Sequence, residues 1–230
     1  MFKFFRNVAT VSNESRLFAI LMTFSGGAID VYSHNYFHGL VATQTGNVIL
    51  LASNLTDNNW YQTLPKLLSI ASFTIGFLVG TWIKRSNFSR YWRCYTMLPV
   101  IFSSLAIPLL PEQFYLPKIG VLAFGSGLLM LTFTGVKVED NPYTIMMTSG
   151  NYRKMLTEWY SYFTSKNKSL TVDRKRSAQN YTIIVTAFIV GTCSLAFINQ
   201  FLGIYTIWLA TITFFFSFII EINEAKKGNI

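Results

Sequence analysis

The chain has 230 residues, of which 51 % are hydrophobic and 13 % are charged, and its mean hydropathy is +0.37. This composition excludes a disordered chain and argues against a water-soluble globular domain, because so few charges cannot cover a soluble surface. The net charge of +9 would suggest a nucleic-acid partner in a soluble protein. The positions of the charges therefore decide what the basicity means.

Six segments are candidates to cross a bilayer. Five of them carry no charged residue and the first carries one, and each approaches or reaches the roughly 17 to 25 residues that span a hydrocarbon core. The six segments are residues 17–36, 67–83, 94–110, 119–136, 181–198 and 204–220. We therefore predict an all-α integral membrane protein with six transmembrane helices in a single domain, residues 1–230.

The basic residues predict the orientation of these spans. Segments 1–16, 84–93, 137–180 and 221–230 hold 17 of the 19 Lys and Arg residues. Cytoplasmic loops are enriched in these residues, so both termini are predicted to be cytoplasmic in a multi-pass protein of the cell membrane. The charge then reports orientation, and we expect no nucleic-acid partner.

The most informative stretch, residues 25–47, reads SGGAIDVYSHNYFHGLVATQTGN. It interrupts apolar sequence with glycines, a carboxylate and a Thr-Gly-Asn turn, and a half-helix is predicted to begin at this turn. An ionisable group at membrane depth is costly and usually functional. The predicted substrate-binding residues here are Asp30, Gln44, Thr45, Gly46 and Asn47, with Gly26 and Gly27 as the helix break. The alternative is that these residues only cap and pack, with Asp30 bonded to Thr45 or Asn47.

A second copy of this pattern indicates an internal repeat. The TQTGN of residues 43–47 is echoed by MTSGN at 147–151, an offset of 104. A glycine-containing helix precedes each turn, with Gly125 and Gly127 in the second copy, and Gly76 and Gly80 match Ala187 and Gly191 at an offset of 111. Repeat one is predicted to cover about 16–110 and repeat two about 119–222. The second copy adds Ser149, Gly150 and Asn151 to the predicted binding residues.

Each repeat contains three spans, and three is an odd number, so the second repeat enters the membrane from the opposite side. The predicted architecture is two inverted three-helix repeats with broken or re-entrant half-helices at the TGN and SGN turns. Segment 137–180 is predicted to hold a cytoplasmic amphipathic helix and a basic linker. Ser72, Gly76 and Gly80 form a ridge of small residues that suits packing within the chain or a homodimer.

The motif of Gly26, Gly27, Asp30, Thr45, Gly46 and Asn47, followed by an apolar run, resembles the YoaK-like family of small bacterial multi-pass membrane proteins. The resemblance covers most of the chain and is specific mainly in this motif. It implies a multi-pass membrane fold, and it implies no activity, because the family has none that can be transferred.

These observations favour a membrane transporter or channel for a small polar or anionic solute, proton-coupled through Asp30. A non-catalytic partner or assembly protein is the alternative. A membrane enzyme is disfavoured because the sequence has no metal cluster, nucleophile dyad or phosphate loop. We expect no cofactor and no metal, and the expected partners are the lipid bilayer and a small molecule or ion.

Overall fold

The computed structural model describes residues 13–56, 59–86, 89–165 and 168–227; residues 1–12 and 228–230 of the predicted cytoplasmic ends lie outside the described residues. The described residues are predominantly helical and contain the following α-helices: α1 Arg16–Phe37, α2 Gln44–Thr56, α3 Trp60–Ser86, α4 Trp92–Ala106, α5 Tyr115–Thr132, α6 Ser149–Thr164, α7 Lys168–Leu202 and α8 Ile207–Lys227. Short 3₁₀ turns lie at Ile107–Leu109, Glu112–Phe114 and Gly203–Thr206.

Three helical segments in the described part are long and apolar enough to cross a membrane: Trp60–Ser86, Glu112–Thr132 and Thr171–Lys227. The last one includes most of α7 and all of α8. Large apolar side chains remain exposed on these helices, among them Leu78 and Phe201. An apolar surface of this kind is typical of contact with lipid, so the structure is compatible with the predicted membrane protein.

The helices pack in two matching sets. α3 packs along α5, and α7 packs along α1. α2 rests on α3 as α6 rests on α7, and α4 contacts α5 as α8 contacts α1. Exchanging α1 with α5, α2 with α6, α3 with α7 and α4 with α8 therefore reproduces the same set of neighbours.

The contacts of α3 with α5 and of α1 with α7, here called the two long helix crossings, share a sequence pattern in which a glycine follows a phenylalanine by three residues. The pairs are Phe24 and Gly27 in α1, Phe73 and Gly76 in α3, Phe124 and Gly127 in α5, and Phe188 and Gly191 in α7. A Cβ atom on each of these glycines would overlap the carbonyl oxygen of the phenylalanine on the facing helix. Only glycine permits so close an approach of two backbones.

These contacts change the alignment of the two halves in α3 and α7. Gly76 faces the α5 backbone as Gly191 faces the α1 backbone, so Gly76 corresponds to Gly191 and not to Ala187 as the 111-residue offset predicted. Gly80 packs on Leu131 within the same chain. The small-residue ridge of α3 is thus occupied by α5, and a homodimer would need another surface.

Glu139 joins the start of α1 to the start of α7. Its carboxylate accepts hydrogen bonds from Arg176 Nε at 2.7 Å, Asn180 Nδ2 at 3.1 Å and Arg16 Nη2 at 3.1 Å. The hydrogen bonds from Arg176 and Asn180 lower the pKa of the half-buried Glu139 carboxyl group to about 2. Glu139 lies beside a small sheet in which β1 (Asn13–Glu14) pairs parallel with β2 (Lys137–Val138) and β2 pairs antiparallel with β3 (Asn141–Pro142).

The basic segment before α7 differs from its predicted form. The basic linker was predicted to run to residue 180, but residues 168–180 are the first part of α7. The ion pairs of Arg174 with Glu158 of α6 and of Arg176 with Glu139 contribute to holding this extension against its neighbours. The amphipathic helix that the sequence predicted in segment 137–180, over residues 152–163, lies within α6.

Alanine substitution of the crossing glycines tests the two matched crossings. We expect Gly76→Ala and Gly191→Ala each to lower the free energy of unfolding by about 1–3 kcal/mol, because a methyl group has no space at either backbone contact. Thermal melting of the purified protein in detergent measures the loss. Gly150→Ala is the control, since the space around Gly150 is open and alanine is favoured over glycine in a helix by about 0.5–1 kcal/mol. Equal effects at positions 76 and 150 would contradict the assignment.

Candidate functional site

The carboxylate of Asp30 binds the turn that precedes α2. Its Oδ1 accepts hydrogen bonds from the backbone N–H groups of Val41 at 2.9 Å and Ala42 at 2.7 Å. Its Oδ2 accepts from the backbone N–H of Thr43 at 3.1 Å and from the Thr43 hydroxyl. Asp30 is 5 % exposed, so these bonds replace the water that the carboxylate would otherwise hold.

This arrangement places a carboxylate of the chain itself on the turn directly before α2, beside the helix N-terminus. The first N–H groups of a helix lack partners within the helix and carry partial positive charge, which suits an anion. α2 begins at Gln44, close to the predicted start at 45–47, and the donors come just before it. The partners of Asp30 are residues 41–43, not Thr45 or Asn47. In this conformation the carboxylate holds together the turn between α1 and α2.

Asn47 also binds the backbone of this turn. Its Oδ1 accepts from the Leu40 N–H at 2.7 Å, and its Nδ2 donates to the Leu40 carbonyl at 2.6 Å. The same Nδ2 lies 2.8 Å from Gln44 Oε1 and 3.2 Å from Ser69 Oγ. Gln44 also donates to the Val41 carbonyl at 3.0 Å. The amides of both predicted binding residues are therefore used within the chain.

Asn151 repeats this arrangement before α6. Its Oδ1 accepts from the Thr144 N–H at 3.0 Å, and its Nδ2 donates to the Thr144 carbonyl at 2.8 Å and to the Met147 carbonyl at 2.9 Å. Both asparagines are completely buried. Each asparagine binds both backbone groups of the residue seven positions before it, so the 104-residue offset of the sequence motif extends to the hydrogen bonds.

The two turns differ in charge. The residue that corresponds to Asp30 in α5, at the 100-residue offset of the two glycines Gly27 and Gly127, is the buried Met130. The turn before α6 therefore has no carboxylate from the corresponding helix position. Within the described part of the chain, the Thr148 hydroxyl at this turn is buried without a hydrogen-bond partner.

The remaining predicted residues have varied surroundings. α1 continues without interruption through Gly26 and Gly27, so the prediction that they break the helix was wrong, and both glycines serve close packing instead. A Cβ atom on Gly26 would overlap the Met146 backbone, so the turn before α6 packs directly against α1. Gly125 approaches Val100 of α4. Thr45 and Ser149 are exposed, and Gly46 and Gly150 are half-buried. The structure thus brings Asp30, Gln44 and Asn47 together around one turn and Asn151 into the other.

Sequence reasoning did not identify two buried charged residues, Arg93 in α4 and Glu221 in α8. Their Nη1 and Oε1 atoms are 3.5 Å apart. The sequence contains little indication that they are buried, because Arg93 directly precedes the predicted span 94–110 and Glu221 directly follows the span 204–220. Charges at such boundaries are ordinarily attributed to the membrane surface.

Comparison with known families identifies one match. Residues 18–220 match a family described as a protein of unknown function (DUF1275). The chain belongs to this family. The DUF1275 description names no activity, and no curated protein or solved structure is significantly similar to the chain. Function must therefore be argued from the geometry of the two turns.

Alanine substitution of the asparagines tests whether the turns depend on them. Asn47→Ala and Asn151→Ala each leave a backbone N–H inside the protein without its acceptor, so we expect each to lower the free energy of unfolding by about 1–3 kcal/mol. Melting in detergent measures the loss. Asn54→Ala in α2 is the matched control, because the Asn54 Nδ2 is buried without a hydrogen bond. The interpretation fails if all three variants melt alike.

Proposed function

We propose that this DUF1275 protein is a membrane transporter for a small anionic solute, coupled to protons through Asp30. In this proposal the chain crosses the cell membrane six times, with both termini in the cytoplasm. α1 and α4, which are not among the three longest apolar segments, supply the first and third crossings. The YoaK-like resemblance and a bacterial origin belong to the same proposal.

The mirrored contacts support an inverted repeat. The two sets of helices have the same neighbours, the two long helix crossings use the same Phe and Gly spacing, and the two asparagines make the same hydrogen bonds. A duplicated unit of three membrane-crossing helices and one half-helix accounts for all three similarities. Because three crossings reverse the direction of the chain, the second unit is inserted in the opposite orientation, as in many secondary transporters.

The observation that carries the proposal is the binding of three successive N–H groups of the turn before α2 by Asp30. A solute anion would bind the same N–H groups of residues 41–43 that this carboxylate now holds. When Asp30 takes up a proton, it loses its charge and its hydrogen bonds to those groups weaken. The anion then replaces it, and proton and anion are bound together. Release of the proton returns the carboxylate to the turn and displaces the anion.

One observation favours a second candidate function. α6 exposes Tyr152, Leu156, Tyr160 and Phe163, which lie on one side of the helix at spacings of three or four residues. This surface suits a non-catalytic membrane partner or assembly protein. Removal of the aromatic side chains from α6 separates the two functions, because it would abolish partner binding and leave solute movement intact. We propose no enzymatic activity.

Anion flux into proteoliposomes tests the transport function. We expect nitrate or sulfate uptake by the wild-type protein to accelerate when the outside is acidic. In Asp30→Asn we expect a loss of uptake of about tenfold or more and no response to the proton gradient, because the side chain at position 30 no longer titrates. Asp173→Asn, a substitution of an exposed carboxylate in α7, is the control and keeps wild-type flux. Full proton-coupled uptake by Asp30→Asn would remove Asp30 from the mechanism.

A further inference from the structure

A buried ion pair closes one end of the interface between α4 and α8. Arg93 lies in the first turn of α4, and Glu221 lies near the end of α8, with Nη1 and Oε1 3.5 Å apart. The side chains are 9 % and 0 % exposed. Removing two charges from water is expensive, and a well-packed apolar pair often stabilises a fold equally well. An ion pair is therefore not needed simply to hold α4 against α8, but it suits a contact that must form and break.

The pair lies against aromatic rings, with Lys84 and Glu224 near enough to act electrostatically on its members. Within the described residues, both Glu221 carboxylate oxygens are buried without a hydrogen-bond partner. The rings of Trp92 and Phe133 lie with their centroids 5.8 Å from the Arg93 guanidinium carbon. Coulomb attraction in a dry environment holds the two side chains together. Entry of water would weaken that attraction and solvate both charges, so the contact has two distinct states.

The opposite end of the same interface is closed without charge. Trp208 at the start of α8 donates from its indole Nε1 to the Leu105 carbonyl near the end of α4 at 3.1 Å. Trp208 follows Arg93 by 115 residues, which is also the separation of Gly76 and Gly191. The matched positions of the two halves therefore carry a cation at one end of the α4–α8 interface and a neutral donor at the other.

The pair is connected to the helices that form the Asp30 site. Phe133, which lies beside Arg93, directly follows α5 and contacts Phe18 of α1 with ring centroids 5.1 Å apart. α1 contacts α8, α8 contacts α4, and α4 contacts α5. The ion pair and these two phenylalanines thus lie together at one end of a ring made of the four helices. α1 carries Asp30, and the turns that follow α1 and α5 are the two turns of the candidate site.

We propose that the Arg93–Glu221 pair is the cytoplasmic gate of this four-helix ring. The inference rests on the proposed transport function, and it assigns to the pair the regulation of access to the Asp30 site. In the closed state the pair and the phenylalanines exclude water from the cytoplasmic end. In the open state α4 and α8 separate at this end, and the two charges are solvated individually. The neutral contact of Trp208 with the Leu105 carbonyl at the opposite end is not part of this gate.

The chain contains its own reporter of the gate. Cys94 follows Arg93 directly and is 3 % exposed, and both charges of the pair act on its thiol. The other cysteine, Cys193, is exposed on α7, and Cys193→Ser removes its signal. The experiment measures the labelling rate of Cys94 in the Cys193→Ser background by a membrane-impermeant maleimide, applied to the cytoplasmic face of inside-out vesicles. The rate is followed over a range of pH and compared as the limiting rate of the thiolate, so that a changed pKa of the thiol is separated from a changed exposure.

We expect slow labelling in the parent and labelling about tenfold faster in Glu221→Gln, because a buried Arg93 without its counter-ion draws water into the interface. Arg93→Lys retains the charge, disturbs the contact less and gives a second, milder increase if the first variant does not fold. The charge exchange Arg93→Glu with Glu221→Arg restores slow labelling. Trp208→Phe, at the opposite end, is the control and leaves the rate unchanged.

Two results overturn the gate. One is a parental labelling rate in folded Glu221→Gln and Arg93→Lys. The other is a charge exchange that labels as fast as Glu221→Gln, since the effect would then not depend on the attraction between the two positions. Labelling requires no solute, so a protein that moves no anion but passes this test contradicts the proposed transport and leaves the opening of this interface established.

Discussion

Backbone that leaves a helix inside an apolar environment must find hydrogen-bond partners within the chain, and this constraint shapes both turns of the structure. Before α2, Asp30 binds three successive N–H groups and Asn47 binds both backbone groups of Leu40. Before α6, Asn151 binds both backbone groups of Thr144. A few buried side chains thus permit two helix breaks that would otherwise leave several polar groups without partners.

The close helix crossings provide the frame in which these turns lie. Glycines at matched positions bring α3 against α5 and α7 against α1 until backbone contacts backbone. The frame is nearly the same in the two halves, whereas the charges are not: Asp30 corresponds to Met130, and Arg93 corresponds to Trp208. The two sets of helices thus share their packing and differ in the charges that they carry.

The sequence predicted the features that depend on local pattern. The helical class, the start of α2, the amphipathic character of α6 and the matching of Asn47 with Asn151 all follow from spacing and composition. The alternative paired Asp30 with Thr45 or Asn47, whereas its partners are residues 41–43. The sequence did not indicate them because the way the turn folds back onto α1 depends on tertiary contacts. The helical start of α7 was missed because its ion pairs to Glu139 and Glu158 join residues distant in sequence. The Arg93–Glu221 contact joins two span boundaries that no local pattern connects.

The central claim is that the two halves lie in the membrane in opposite orientations, and the sidedness of the two half-helices tests it most directly. Asn59→Cys follows α2 and Thr164→Cys ends α6, both at exposed positions, in a chain whose own cysteines are replaced by serine. A membrane-impermeant thiol reagent applied to intact cells is predicted to label position 59 and not position 164. In inside-out vesicles the result is predicted to reverse. Labelling of both positions from the same side would contradict the inverted repeat and the transport mechanism built on it.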